Sequence, residues 1–274
     1  MALDQTASSV GGDGKKSAWP PLESNPEAFT ALARQLGLQP GYEFVDVFGL
    51  DPDLLMMVPQ PCLAVVVLFP TQCQVLEDFR KKQKETIGVA GRETEQKKSS
   101  EDYVYVHQYV GNACGTFALC HALWNNQEAL DAASPLLRFL ADAMSEITKE
   151  QDNNSTGPAE KPLAALLGEA FMNFNDVREK HAAIASDARL NQTAELAATA
   201  KVEEHFTAFV RKSQGGSSSR IVELDGRLRV ALEHEDGKPE ADLLHSVAPL
   251  IQKNFFDVAA GSENNFAVLA LVKT

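Results

Sequence analysis

The period of the apolar positions changes several times along this chain, and each change marks an element. "NPEAFTALARQLG" puts Phe29, Leu32 and Leu36 on one helical face, with Asn25 as cap, Pro26 in the first turn and Gly37 as the stop. "YEFVDVF" alternates as a strand does, and "DPDLLMMV" repeats the cap-and-proline pattern for a short helix. "CLAVVVLFP" is an unbroken β-branched run bounded by prolines, which suits a buried central strand. The stretch "TQCQVLEDFRKKQKETIG" returns to the helical period with a basic end. After the polar connection "GRETEQKKSSED", "YVYV" predicts a short strand. A helix opened by "NACG" runs to about Trp124, and "SPLLRFLADAMSEI" is another, capped by Ser134.

The polar run "KEQDNNSTGPAEKP" predicts a loop, followed by helical pattern from Leu163 toward His181. The last third is different: "HFTAFV", "RIVELDG" and "RLRVAL" are rich in β-formers, "ADLLHSVAPLIQKNFFD" is helical despite Pro249, and "NFAVLALV" closes as a buried strand. Helices and strands are interspersed, with most strands late and close together. The expected fold is α+β, a central, mostly antiparallel sheet flanked by helices. Residues 1–18, rich in Gly, Ser and Lys, are expected as a flexible tail, and residues 19–274 as one domain.

Composition narrows the function classes. A net charge of −13 over 274 residues argues against nucleic-acid binding and favours a basic protein or peptide partner. The longest apolar run, Cys62 to Phe69, is far short of the roughly 20 residues a spanning helix needs. The N-terminus lacks an apolar core, so no secretory signal is expected. Cys62, Cys73, Cys114 and Cys120 show neither metal-ligand spacing nor a dense disulfide pattern, which points to free thiols in a reducing compartment.

"QYVGNACGTFALC" raises the question of chemistry. Cys114 falls at the start of a predicted helix, where the helix dipole favours a thiolate, and the small neighbours Ala113 and Gly115 leave its sulfur accessible. By physics alone a cysteine ahead of an apolar helix is more often packing than catalyst. His205, on a strand with apolar neighbours, reads equally as a core histidine. Asp225 before Gly226 reads equally as a turn residue. A metal site on Cys114, Cys120 and His121 is disfavoured, because helical geometry turns Cys120 well round from Cys114. Trp124 and the Met56–Met57 pair read as packing, and His107 as a surface residue.

Taken together, "QYVGNACGTFALCHAL", "HFTAFV" and "VELDGR" resemble the ubiquitin carboxyl-terminal hydrolase family of cysteine peptidases. "WPPLESNPEAFTALARQLGL", "FVDVFGLDPDLLMMVPQP" and the final "NFAVLAL" extend the likeness to its short, single-domain members. The resemblance implies a papain-like core with a knotted backbone. It implies Cys114 as nucleophile, His205 as the proton-transferring base, Asp225 as the group that orients His205, and Gln108 as oxyanion donor. It implies that the alanine-rich stretch from Arg178 to Glu204 is a strap gating the cleft, with Ala185, Asn191 and Thr193 as gate residues. The implied reaction releases small adducts or short extensions from the C-terminus of ubiquitin, or of the related Nedd8, without cofactor or metal. A ubiquitin-binding module of weak or no turnover and a broad cysteine peptidase are the alternatives. Expected partners exclude nucleic acid and membrane. A monomer is expected in the cytoplasm, with the nucleus open as a second compartment. Two features depart from the family: the insertion "RKSQGGSSS" (Arg211–Ser219), expected to bulge outward, and "LRVALEHEDG" after Arg227, where the family carries Pro-rich sequence.

Overall fold

The computed structural model describes residues 18–90, 102–153, 161–192, 202–215, 218–259 and 265–274. The expected tail and most of the polar connection after Ala90 lie outside these residues.

Six strands form one antiparallel sheet: β1 (Tyr42–Asp46), β2 (Cys62–Pro70), β3 (Glu204–Gly215), β4 (Ser218–Leu224), β5 (Leu232–Glu235) and β6 (Ala267–Lys273). Their order across the sheet is β1-β6-β2-β3-β4-β5. The β2 strand is central because both of its faces are apolar. Ala64 and Val66 join the core on one side, Val65 and Val67 the core on the other, and all four are buried.

The first face is covered by α1 (Pro26–Gln35) and by the helix Cys114–Trp124, here α4. The side chain of Asn25 caps α1 by accepting from the Glu27 and Ala28 amides. All of α4 is buried, as befits a helix that is apolar on every side. Further out lie α5 (Pro135–Asn153), α6 (Leu163–Met172) and α7 (Asn175–Ala185). The second face carries α8 (Leu243–Ile251), which contains Pro249, and α3 (Gln74–Ala90), which buries Leu76 in the same core. The short α2 spans Pro52–Leu55.

Several expectations are corrected. Tyr103–Val106 is not a strand: Val104 exchanges both backbone bonds with the Asn125 side chain (2.9 and 2.8 Å), and the Val106 amide donates to His121 Nε2 (3.0 Å). Side chains from α4 and its end replace a ladder partner. Helix α5 continues to Asn153, into the run expected as a loop, and the helical pattern after Leu163 breaks at Asn173 into two helices. "RLRVAL" is mostly turn, and the strand begins only at Leu232. The insertion at Arg211–Ser219 prolongs the β3–β4 ladder, with Ser213 opposite Ser219 and, across a register shift, Gly215 opposite Ser218. Met56 and Met57 are exposed, and His107 is buried.

Candidate active site

Cys114 opens α4 after a tight turn in which Asn112 adopts φ 58°, a left-handed conformation that asparagine tolerates. Gly115 sits in a close approach. A Cβ there would stand 3.3 Å from the Phe206 ring, so the glycine lets α4 lie against β3. The thiol is buried, not open as its small neighbours suggest. Burial alone would raise its pKa. The neighbouring His205 imidazole, first, and the charge of Arg227 outweigh that, with help from the Phe206 backbone, and hold it below the ordinary thiol value.

His205 and Asp225 hang from the same end of one hairpin, because β3 and β4 pair with Ala208 opposite Leu224. His205 Nε2 donates to Asp225 Oδ1 at 2.6 Å. Its other nitrogen, Nδ1, makes no hydrogen bond of ordinary geometry, and the Cys114 thiol is the group that acts on the ring from outside the hairpin. Burial disfavours the imidazolium, but Asp225 and Cys114 together raise the His205 pKa above its ordinary value. Asp225 is buried as well. Opposing that burial, His205, Arg80 and the Arg227 amide (2.9 Å) hold its carboxyl well below the usual range.

Gln108 lies in the segment leading into α4. Its amide donates to the Gly226 carbonyl at 3.0 Å, which ties it to the turn carrying Asp225. A Cβ on Gly226 would come within 2.9 Å of the Gln108 Cβ, so this contact needs glycine. Gln108 Nε2 donates one hydrogen to the Val110 carbonyl (2.8 Å), which fixes the amide and leaves its second hydrogen uncommitted among the described residues.

Sequence reasoning missed the support behind this set. Arg80 on α3 is buried between the rings of Phe69 and Phe255, at 5.2 and 5.1 Å. It donates to Asp225 Oδ2 (2.7 Å) and to the buried Glu223, which also accepts from Thr207 and pairs with His234. The signal was present in the pattern: Arg80 stands four residues after Leu76 on the buried stripe, and Glu223 shares strand parity with the inward Ile221. A second support crosses the first face. His181 on α7 is buried, with Nε2 donating to the Pro20 carbonyl (2.8 Å), so Nδ1 accepts from Thr116 of α4 (2.7 Å). Cys120 is fully buried and its thiol is pushed up by burial, as a packing residue should be.

The expected gate residues divide. Ala185 is the last residue of α7 and is buried. Asn191 is buried too, donating to the carbonyls of Ala185 (2.7 Å) and Pro21 (3.1 Å) and accepting from the Glu23 amide (3.1 Å). Both are thus tied into the packing at the end of α7 and just beyond it. Thr193 lies outside the described residues.

A buried thiol at a helix N-terminus, facing an imidazole that a carboxylate holds, is the arrangement of a thiol hydrolase with a papain-like core. A family model described as ubiquitin carboxyl-terminal hydrolase, family 1, matches residues 19–255. A ubiquitin carboxyl-terminal hydrolase of Aplysia californica is 34% identical, over 86% of this chain and 94% of its own length. One from Drosophila melanogaster is 32% identical over 92% and 96%. Isozyme L1 of Homo sapiens is 31% identical over 92% and 97%. The Trichinella spiralis UCH37 catalytic domain, solved bound to ubiquitin vinyl methyl ester, superposes with a TM-score of 0.61 at 17% identity, covering 93% of this chain and 95% of that one. The chain belongs to ubiquitin carboxyl-terminal hydrolase family 1, and it is a cysteine-type ubiquitin C-terminal hydrolase.

Proposed function

We propose that the enzyme releases small adducts and short peptide extensions from the C-terminus of ubiquitin, with Cys114 as its nucleophile. The observation that carries this is the placement of the buried Cys114 at the start of α4 beside His205, whose Nε2 is held by Asp225 Oδ1 at 2.6 Å; in keeping with it, His205 helps to lower the thiol, and Asp225 with Cys114 raises the imidazole. The thiolate attacks the carbonyl of the terminal glycine. His205 then gives its proton to the departing amine, and water releases ubiquitin from the thioester. Asp225 keeps the imidazole oriented and compensates its charge. The Cys114 amide and the free hydrogen of Gln108 Nε2 face the developing oxyanion, a contribution that typically amounts to about a hundredfold in rate per donor.

Two adjoining surface cavities suit a basic tail attached to a folded body. A groove of about 670 Å³ is lined by Glu23, Glu27, Asp46, Glu204 and Phe206. Sharing Glu27 and Asp46 with it, a second cavity of about 610 Å³ carries Phe48 and Met57, which are 77% and 68% exposed. Carboxylates steer a basic C-terminal tail, and the exposed apolar side chains give the body of ubiquitin an anchor. The chain from Asn191 to His205 would then strap the cleft and limit the size of what leaves. Nedd8 is the second substrate of this reading, to be ranked by the same assay.

Turnover of ubiquitin carrying a short peptide extension tests the assignment. Cys114→Ala should give no product, and Cys120→Ala should keep most of the activity. Product from Cys114→Ala, or its loss only in Cys120→Ala, would show that the wrong thiol has been chosen.

A further inference from the structure

We infer that His107 is a positioning residue for the reaction: its ring, bonded to the Arg229 carbonyl, holds Gln108 where its amide can meet the oxyanion. This rests on the role given to Gln108 above. Gln108 lies within a short seam between residues 105–109 and the turn 225–229, and four contacts close that seam. Tyr105 Oη donates to the Asp225 carbonyl (2.7 Å), and the Gln108 amide donates to the Gly226 carbonyl (3.0 Å). His107 Nε2 donates to the Arg229 carbonyl (3.0 Å), and the Arg229 guanidinium lies over the Tyr109 ring at 4.5 Å.

Arg229 is the strained end of the seam. Its φ is 70°, a left-handed conformation that a residue with a Cβ keeps only when its surroundings hold it there. Arg229 is exposed, whereas the His107 ring that grips its carbonyl is buried. The hold on this backbone therefore comes from the inside of the molecule.

His107 is itself braced. Its amide donates to the Ala164 carbonyl of α6 (2.9 Å), and a Cβ on Gly168 would stand 2.3 Å from its carbonyl oxygen, so α6 and this segment touch backbone to backbone. The rings of Tyr105 and Tyr109 meet the imidazole edge-on at 5.5 and 6.2 Å. A carbonyl can only accept, so Nε2 carries the ring hydrogen. Burial, and after it the charge of Arg229, pushes the His107 pKa down to about 4, which keeps the ring neutral at pH 7. Without this bond the turn relaxes at Arg229, Gly226 shifts, and Gln108 moves with the carbonyl it is tied to. An oxyanion donor acts only at about 2.7–3.1 Å from the developing charge, so a small shift is enough to weaken it.

The test reads kcat and KM separately on the full chain, with ubiquitin carrying a short peptide extension as substrate. His107→Phe keeps the ring and removes the donor. Its kcat should fall about 3- to 10-fold, the scale of one hydrogen bond, with KM nearly unchanged. His107→Gln, whose amide can reach the same carbonyl, should recover most of that loss. In a Gln108→Ala background His107→Phe should cost less than about twofold, because nothing is left to position. An equal loss in both backgrounds, a loss confined to KM, or no loss at all would overturn the inference. Nitrogen NMR of the parent chain gives an answer that needs no variant: at pH 7 the His107 ring should be neutral with its hydrogen on Nε2, and a charged ring or an Nδ1–H tautomer would equally overturn it. Full activity of Gln108→Ala would remove the oxyanion role of Gln108 and this inference with it, while leaving Cys114 as nucleophile.

Discussion

Asp225 and Arg80 show how the four candidate catalytic residues are braced by a fifth side chain behind them. Asp225 sits in a buried position that disfavours its charge, and Arg80 is one of the cations that compensate it. Asp225→Asn should lower kcat by roughly a hundredfold or more while leaving KM near its original value, because it misorients His205 without contacting ubiquitin. Arg80→Lys should retain the fold but lose on the order of tenfold in kcat, since one ammonium cannot serve both Glu223 and Asp225 as the guanidinium does. Arg80→Met should be worse in a different way. It leaves two buried carboxylates facing one another and should cost about 3–5 kcal/mol of stability, read by urea titration. A Met variant as stable and active as the parent would remove Arg80 from the account.

Among elements, the apolar pattern identified the helices and the central strands well, because α1 and α8 declare their buried face in the spacing of apolar residues and β2 its central place in an unbroken apolar run. It failed where the partner of a backbone is a side chain. Tyr103–Val106 has strand composition, but its hydrogen bonds go to Asn125 and His121, and no local pattern announces that. The four candidate catalytic residues were recognisable by motif and order, whereas Arg80 was hidden among three consecutive basic residues although it lies on the buried stripe. The alanine-rich stretch expected as a strap from Arg178 to Glu204 belongs to α7 as far as Ala185, and its residues 193–201 lie outside the described residues. Asn191 within it is anchored to Pro21 and Glu23, some 170 positions away, a contact that no local pattern announces. The anchoring changes the design of the strap experiment: a Gly/Ser insertion belongs after Glu195, clear of the Asn191 contacts. Ubiquitin fused to a folded protein should be cleaved far more slowly than ubiquitin with a short extension, and the insertion should shrink that difference. Equal rates in the parent enzyme, or no change on insertion, would show that this stretch is not the gate.

Over the whole molecule, the packing that assembles the site also sets its tolerance to acid. His121 and His181 are fully buried, and burial pushes their pKa values down to about 4. An unfolded histidine titrates near 6.5, so the unfolded chain takes up these protons first. Stability is full above that value and falls as pH drops toward about 4, by roughly 2 kcal/mol for each residue at pH 5. His205, raised in the folded state, works in the opposite direction, and the lowered Asp225 and Glu223 keep their contribution to still lower pH. His107, also buried, is lowered to about 4 by burial and by Arg229, so three losses against one gain predict a lower Tm at pH 5 than at pH 7, and an unchanged or higher Tm would contradict the neutral, buried state of these three histidines. The central claim concerns Cys114 itself. Ubiquitin bearing a C-terminal electrophile should form a single covalent adduct with the full chain, and peptide mapping by mass spectrometry should place it on Cys114. Labelling of Cys62, Cys73 or Cys120 in its place, or no adduct at all, would contradict the account.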